Sequence, residues 1–581
     1  MKKIIFILLL LFLLTGCTNN NNNPHTHEFV NGKCECGEID PNYEVPHTHE
    51  FVNGKCECGE IDPNYEPPHT HEFVNGKCEC GEIDPNYEVP HTHEFVNGKC
   101  ECGEIDPNYE PPHTHEFVNG KCECGEIDPN YEVTYYEVVF KDKYGNIIDT
   151  VLTKEGEKAS EPVAPTLKYF TFFGWSEDIT CVNSNMEVSA VYTKDKTEYL
   201  NNDANYWLRL LADKYEINKT ILTLEEIKAY NEAIVSDYSK TKVVDVLSLD
   251  KNVSKEYIKG LIESYNNINK YTVYSNDTKN ALTTAEKNII LNNRALDNIT
   301  DKEVVWGIIT DFAWMRTYPT NDYSSTYDRD RFQETSLNVG EVVRIYHTSL
   351  DESWYFVQAT NYYGWVEAKY IGVCSFETAE NFVKADDFIV VISDYLVIEG
   401  AHVRMGQTFP ILKEDSNYIV NFPTRDSNGR LVLKEVEIAK DENVSKGYLE
   451  YNYENLYIQA FKLLNIKYSW GDKEKLGRDC SSTQNAIYAT FGFKMPRNTS
   501  NQNKIPGFGK SVSNMTVGEL KDNYAPGTLI FSSGHVMMYI GENVSGQSYI
   551  FHNTSAGSGK CILQNVSQYG INKIIGILEM Q

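Results

Sequence analysis

Arg478-Asp479-Cys480-Ser481-Ser482 decides how the C-terminal part of this chain is read. The run Ser481-Ser482-Thr483-Gln484-Asn485-Ala486-Ile487-Tyr488-Ala489-Thr490-Phe491 predicts a helix, stopped by Gly492. Cys480 is then expected in the first turn, where unpaired backbone N–H groups favour negative charge and can receive an oxyanion. That matters because the thiolate is the nucleophile, and a free thiol of pKa about 8.5 is only a few per cent ionised at neutral pH. A helix N-terminus and a neighbouring imidazole both favour the ionised form. His535 and His552 are the only histidines after His402. His535 to Ile540 predicts a strand, Gly541 to Gln547 a turn, and Ser548 to His552 the return strand. A hairpin centred between Asn543 and Val544 sets His535 opposite His552 on one face, with Cβ atoms about 5 Å apart. One imidazole can then act as base and the other can orient it. A slip of one residue would put them on opposite faces. A lone cysteine is usually an inert small hydrophobe, but Asp479 and Ser481 flank this one and argue against a greasy core position.

Six motifs in order extend this reading. They are Tyr468-Ser469-Trp470-Gly471, the Cys480 stretch, Met495-Pro496-Arg497-Asn498-Thr499-Ser500-Asn501-Gln502, Ala525-Pro526-Gly527-Thr528-Leu529-Ile530-Phe531, His535-Val536-Met537-Met538-Tyr539-Ile540-Gly541 and Ile550-Phe551-His552-Asn553. Together they resemble the NlpC/p60 cysteine peptidases, papain-like enzymes that cut bacterial cell-wall peptides. The resemblance implies Cys480 as nucleophile, His535 as general base, His552 as the residue orienting it, and Tyr468 as the family tyrosine beside the nucleophile. One departure is visible: Asp472 stands where a second glycine is usual after Trp-Gly.

The net charge of −30 argues against a nucleic-acid binder, which carries a basic face, and against electrostatic docking on anionic lipid. Met1-Lys2-Lys3 followed by Ile4 to Leu14 reads as a basic n-region and an apolar h-region too short to span a bilayer. Leu14-Thr15-Gly16-Cys17 resembles a bacterial lipobox. It implies lipidation of Cys17 and a place on the extracellular face of the cell membrane.

Most of the negative charge has one source. His-Thr-His-Glu-Phe-Val-Asn-Gly-Lys-Cys-Glu-Cys-Gly-Glu-Ile-Asp-Pro-Asn-Tyr-Glu recurs five times with a period of 22, and each copy carries five acids and one lysine. Each offers two imidazoles and two thiols, a donor set suited to tetrahedral zinc. The sets are His25, His27, Cys34 and Cys36; His47, His49, Cys56 and Cys58; His69, His71, Cys78 and Cys80; His91, His93, Cys100 and Cys102; and His113, His115, Cys122 and Cys124. The Asn-Gly turn, Asn31-Gly32 in the first copy, would fold the two ligand pairs together. An unfolded acidic spacer and extracellular disulfides are the alternatives. As flexible coil such a segment would span roughly 60 Å.

Tyr135-Tyr136-Glu137-Val138-Val139-Phe140 to Ala190-Val191-Tyr192, with Phe173-Gly174-Trp175, resembles the Listeria–Bacteroides repeat, a β-grasp-like spacer or adhesion unit. Helical patterning follows, as at Leu222 to Asn231 and Val253 to Ile262. It is similar to the stabilising region ahead of some NlpC/p60 enzymes. Trp314-Met315-Arg316-Thr317-Tyr318-Pro319, Val339-Gly340-Glu341-Val342-Val343, Trp354-Tyr355-Phe356-Val357-Gln358 and Tyr363-Gly364-Trp365-Val366 resemble a bacterial SH3-like barrel, and a second is expected around Met405-Gly406-Gln407-Thr408-Phe409.

The expected fold is therefore multidomain α+β. Residues 1–16 are a signal peptide, 17–133 the lipidated cysteine and repeat stalk, and 134–195 the β-grasp-like module. Residues 198–303 are the helical region, 304–373 and 374–445 two SH3-like barrels, and 447–581 the papain-like catalytic domain. That order resembles one branch of the family, which cuts the bond between γ-D-glutamate and a diamino acid in stem peptides with a free N-terminal L-alanine. Asp479, Ser481 and Thr499 match the family positions that hold the amine. Glu334 is the candidate acid from the first barrel, and Tyr363 a further candidate; His347 and His402 read as ordinary barrel residues. The implied partners are peptidoglycan stem peptides and, through the lipid, the membrane. The chemistry needs no cofactor. The other function class is a surface-anchored wall-binding protein with an inactive peptidase domain, and acyl transfer by the same thiol would use identical residues.

Overall fold

The computed structural model describes residues 52–53, 55, 73–74, 77–78, 92–109, 114–265, 267–325 and 329–580. The chain forms two units, Met1–Tyr131 and Glu132–Gln581. The expectations for Cys17, His25, His27, Cys34, Cys36, His47, His49, Cys56, Cys58, His69, His71, Cys80, His91 and His113 lie outside the described residues, and of Cys78 only the backbone is described. Among the described residues no helix is long and apolar enough to cross a membrane.

In the first unit the fourth and fifth repeats fold alike. Val96 and Lys99 bridge across Asn97-Gly98, both left-handed at φ 50° and 78°, and Lys99 bridges on to Ile105. The fifth copy repeats this with Val118, Lys121 and Ile127. Gly98 is required: a Cβ there would lie 2.1 Å from the Tyr109 ring.

The second unit opens with four strands, Tyr135–Lys141, Ile147–Lys154, Phe170–Trp175 and Met186–Lys194, in spatial order second, first, fourth, third. The first and fourth run parallel, and Val138, Phe140 and Val188 are buried between them and their loops. Helices follow where the sequence carries start signals. Thr223 and Glu226 form a capping box ahead of Leu224–Ser236, and Ser254 caps Lys255–Glu263. The helical region is not a separate body. Trp207, Leu208, Ile227, Tyr230 and Ile234 share one core with Leu456, Tyr457 and Ile487 of the C-terminal domain.

Residues 305–374 form a seven-stranded antiparallel sheet in order third, second, sixth, fifth, fourth, first, seventh. Residues 388–446 contribute a five-stranded sheet in order fourth, third, second, first, fifth, with a separate hairpin Tyr395–Ile398 and Ala401–Arg404. Both β-domains grip the C-terminal domain at one loop. From the first, Gln333 Nε2 donates to the Gly471 carbonyl at 3.0 Å, Ser336 Oγ to Asp472 O at 2.8 Å and Trp314 Nε1 to Lys473 O at 2.7 Å. From the second, Arg404 Nη2 donates to Gly477 O at 2.8 Å.

The C-terminal domain packs helices α1 (Tyr453–Lys462) and α2 (Cys480–Ala489) on an antiparallel sheet. Its strands are β1 (Gly509–Ser511), β2 (Leu529–Ser532), β3 (His535–Glu542), β4 (Ser548–Asn553), β5 (Cys561–Asn565) and β6 (Gly576–Leu578), in order β1-β6-β2-β3-β4-β5. Helix α2 stops two residues short of the expected Phe491. Its last turn is closed instead by Phe493 N–H on Tyr488 O, with Gly492 left-handed at φ 90°.

The first β-domain owes its local shape to one buried ion pair. Arg316 Nη2 and Asp330 Oδ2 are 2.9 Å apart, and both side chains have 0% exposure. Asp330 Oδ1 also accepts from the Ser324 and Phe332 N–H groups at 2.9 and 3.0 Å. Removing one member leaves an uncompensated buried charge. Asp330→Ala should therefore destabilise this domain by about 3–5 kcal/mol, read from its tryptophan fluorescence in urea; a loss below about 1 kcal/mol would mean that the pair is hydrated.

Candidate active site

Cys480 opens α2, and the Asp479 carboxylate caps the helix, accepting from Ser482 N–H at 2.9 Å while Ser482 Oγ bonds back to the cap. The sulfur is buried at 6% exposure. The backbone N–H groups of Val536, on β3, and Ser481 face it. The tie between helix and sheet is Asn553 at the end of β4: its Nδ2 donates to Arg478 O at 2.8 Å and to Thr483 Oγ1 at 3.2 Å.

His535 begins β3 directly after the two-residue turn Ser533-Gly534. Its Nε2 lies 2.8 Å from Nδ1 of His552. The expected register is not the one observed. Gly541 pairs with Tyr549 and Glu542 with Ser548, so the hairpin is centred on Ser545, and Tyr539 pairs with Ile550, so Ile540 is an extra residue on β3. The shifted centre alone would have sent the two rings to opposite faces. The bulge at Ile540 restores the parity and makes them diagonal neighbours on one face. The ring of Tyr569 stacks against His535, with centroids 6.2 Å apart, and its hydroxyl meets Ser532 Oγ at 2.5 Å.

Burial dominates the protonation of this group. It pushes the Cys480 thiol up to about 12, helped by the Asp479 charge and opposed by the Val536 N–H. It pulls His535 down to about 4, opposed by Asp479, and His552 down to about 3. The thiol and both imidazoles are therefore neutral, not the ion pair that the helix N-terminus alone would favour. If His535 keeps its proton on Nε2 and donates it to His552, Nδ1 is left with a lone pair able to accept the thiol proton.

Beside the sulfur lies a charged cluster. Arg497 Nη2 and Nη1 donate to Asp479 Oδ2 and Oδ1 at 2.6 and 3.2 Å, Nη1 also reaches Ser481 Oγ at 2.9 Å, and Nε reaches Thr335 Oγ1 of the first β-domain at 2.6 Å. Ser481 Oγ donates to Asp479 Oδ1 at 3.1 Å. Burial alone would raise Asp479, but Arg497 and the hydrogen bonds hold it below the usual carboxylate range. Glu334 is the reverse case: burial raises it, although it accepts from Thr317 Oγ1 at 2.9 Å and from the Tyr362 hydroxyl at 2.5 Å, with Arg497 nearby. Tyr468 is half-buried beside Cys480 and Asp479, and its phenol is raised by burial and by those charges. Thr499 opens the short helix Thr499–Gln502, next in the chain to Asn498, which bonds Tyr362.

Tyr363 sits one ring away from Glu334. Its hydroxyl lies 3.0 Å from Ser264 Oγ and its ring tilts against Tyr265, while the tyrosine whose hydroxyl meets Glu334 is Tyr362. The rings of Tyr362 and Tyr363 are neighbours, with centroids 6.2 Å apart. Arg497, Asn553 and Tyr569 were not singled out either. The first two stand inside the quoted motifs; Tyr569 carries no sequence signal. A crevice of about 320 Å³ behind α2, lined by Asn338, Glu341, Met405 and Arg478 among others, contains neither Cys480 nor His535 and is not the reaction site.

Residues 465–573 match the NlpC/P60 family, residues 320–367 an SH3 domain of SH3b1 type, and residues 1–18 a prokaryotic membrane lipoprotein lipid attachment site. No curated protein matches the chain. Among solved structures it is similar to a novel NlpC/P60 endopeptidase from Photobacterium damselae subsp. piscicida, at 16% identity over 62% of this chain and 94% of that one, TM-score 0.49. It is also similar to an NlpC/P60 family protein from Bacillus cereus ATCC 10987, at 19% identity over 47% of this chain and 99% of that one, TM-score 0.37. The chain thus carries a hydrolase domain of the NlpC/P60 cysteine-peptidase family, joined to an SH3 domain, on a lipoprotein anchored at the extracellular face of the membrane.

Proposed function

We propose that the chain hydrolyses the bond between γ-D-glutamate and the diamino acid of peptidoglycan stem peptides whose N-terminal L-alanine is free. The observation that carries this reading is the sharing of one buried cluster by two domains: Glu334 and Thr335 from the first β-domain and Asp479, Ser481 and Arg497 beside the sulfur. In this reading Cys17 bears the lipid, residues 17–133 are a stalk and residues 134–195 a β-grasp-like module. Residues 198–303 brace the enzyme, and residues 304–373 and 374–445 are two SH3-like barrels, the first walling the substrate pocket.

Cys480 Sγ attacks the γ-carbonyl carbon as its proton passes to Nδ1 of His535. The imidazolium is steadied by His552 at its other nitrogen. The amide C–N bond breaks, and the diamino acid leaves as an amine carrying the proton from His535. Water, deprotonated by His535, then cleaves the thioester and releases L-Ala-γ-D-Glu. The reaction so written balances without a cofactor. The first-turn N–H groups of α2 favour the charge developing near the sulfur.

The amine of L-alanine needs an anionic partner once desolvated. Asp479 is already engaged by Arg497, so Glu334 is the acid with a role to fill. Burial raises its pKa; an arriving ammonium would ionise it. Acetylating the N-terminal alanine, or Glu334→Gln, should each raise KM about 10- to 100-fold, the worth of a hydrogen bond to a charged group. Combining them should add little, and equal KM for free and acetylated peptides would remove the amine pocket.

The acid limb has a defined sign. A ring held near 4 stays neutral, and able to accept a proton, well below the ordinary histidine range. At saturating substrate, kcat at pH 5 should stay within about threefold of its value at pH 7, whereas a ring titrating at about 6.5 would lose roughly thirtyfold. The ratio kcat/KM should fall earlier, because it also reads protonation of the raised Glu334 in the free enzyme.

A further inference from the structure

The fourth and fifth repeats each gather one imidazole and two thiols. His93, Cys100 and Cys102 form one group and His115, Cys122 and Cys124 the other, with the donor atoms of each group within 4.8 Å of one another. Ligands on a tetrahedral zinc ion sit about 2.0–2.3 Å from it and hence roughly 3.5 Å apart, so each group needs only to tighten slightly. We propose that these two groups are structural zinc sites.

The orientation of each ring supports this independently of the clustering. His93 Nδ1 lies 3.1 Å from Cys102 Sγ, and its Nε2 lies 3.0 Å from the Glu104 carboxylate. In the next copy His115 Nδ1 lies 3.2 Å from Cys124 Sγ and Nε2 lies 2.9 Å from Glu126. A carboxylate on the far ring nitrogen takes the N–H there and leaves the near nitrogen with its lone pair aimed at the sulfurs. That is the arrangement in which metal-bound histidines are held. It is not the arrangement expected of an acidic spacer, where each glutamate gains most by remaining in water.

The backbone within each copy wraps around the donors. The Asn97-Gly98 turn reverses the chain, Cys100 N–H bonds to Glu104 O at 2.9 Å, and Gly103 N–H returns to Cys100 O at 2.9 Å, wrapping the backbone around the two cysteines. Phe95 stacks on His93, and Tyr109 covers Gly98. The fifth copy repeats each contact, with Phe117 on His115 and Tyr131 over Gly120. A unit of this size buries too little apolar surface to hold itself closed, and a metal is the usual staple at such a size. On binding, the two thiols of a group lose their protons and the resulting thiolates cancel the ion's charge. Two thiolates with an imidazole favour zinc over the hard cations magnesium and calcium.

The test compares metal content of the full chain with that of a Cys100→Ser/Cys102→Ser/Cys122→Ser/Cys124→Ser variant, both exposed to zinc chloride and desalted. The variant should hold two zinc ions fewer per chain. Glu104→Gln/Glu126→Gln, which keeps every ligand, should weaken zinc binding at these sites about 10- to 100-fold in competition with a chromophoric chelator. Peptidase activity should survive in both variants, so this outcome is separable from the enzymatic reading. Equal zinc content in the full chain and the cysteine variant would overturn the proposal, as would mass-spectrometric detection of a Cys100–Cys102 disulfide in place of metal.

Discussion

The carboxylate of Asp472 holds the C-terminal domain's reactive end in place. Its Oδ1 accepts from the Asp479 N–H at 2.9 Å and from Ser482 Oγ at 2.5 Å, the two residues that cap the helix carrying Cys480. Its Oδ2 faces Arg404 Nη1 of the second β-domain at 3.4 Å, and its backbone carbonyl accepts from Ser336 of the first. Three parts of the chain thus meet at one buried acid. The residue sits in the left-handed region at φ 55°, a conformation that glycine adopts freely and aspartate tolerates better than most. The glycine usual at this position of the resembled family would keep the carbonyl bond to Ser336 but none of the carboxylate's bonds. The departure is thereby a structural device: it ties the second β-domain to the cap of the nucleophile's helix.

That rigidity costs the sulfur its solvation. Burial keeps proton and sulfur together and keeps both imidazoles neutral. The charges already present are countered, Asp479 by Arg497, and Asp330 by Arg316 and Lys473. Glu334 is the acid most readily tipped by an incoming cation, because burial already disfavours its charge. Recognition and activation can then be one event: the group that anchors the substrate also changes the field around the thiol.

Much of this was legible from residues alone. The helix start at Cys480, the hairpin carrying both histidines and the helix starts near Leu222 and Val253 follow from local chemistry. What escaped was whatever depends on a count of one. The hairpin between β3 and β4 is centred one and a half residues later than its turn residues suggest, and the bulge at Ile540 was invisible because apolar residues on a buried strand carry no mark of which is unpaired. Tyr362 and Tyr363 differ by one position, and it is the first whose hydroxyl meets Glu334. Long-range partners escaped too: Thr335 and Arg497 are 162 positions apart, and no pattern near either names the other. In the repeats the donors could be read but their glutamate partners could not, since every acid of an acidic segment looks alike until the turn brings one of them to the ring.

The central claim is that Cys480 carries the substrate's acyl group during turnover. Rapid-quench mass spectrometry of the full chain mixed with L-Ala-γ-D-Glu-diamino acid peptide tests it most directly. A thioester of L-Ala-γ-D-Glu on Cys480, appearing before steady state, is the predicted result. Product released at full rate with Cys480 unmodified at every quench time, or the adduct on another residue, would contradict it.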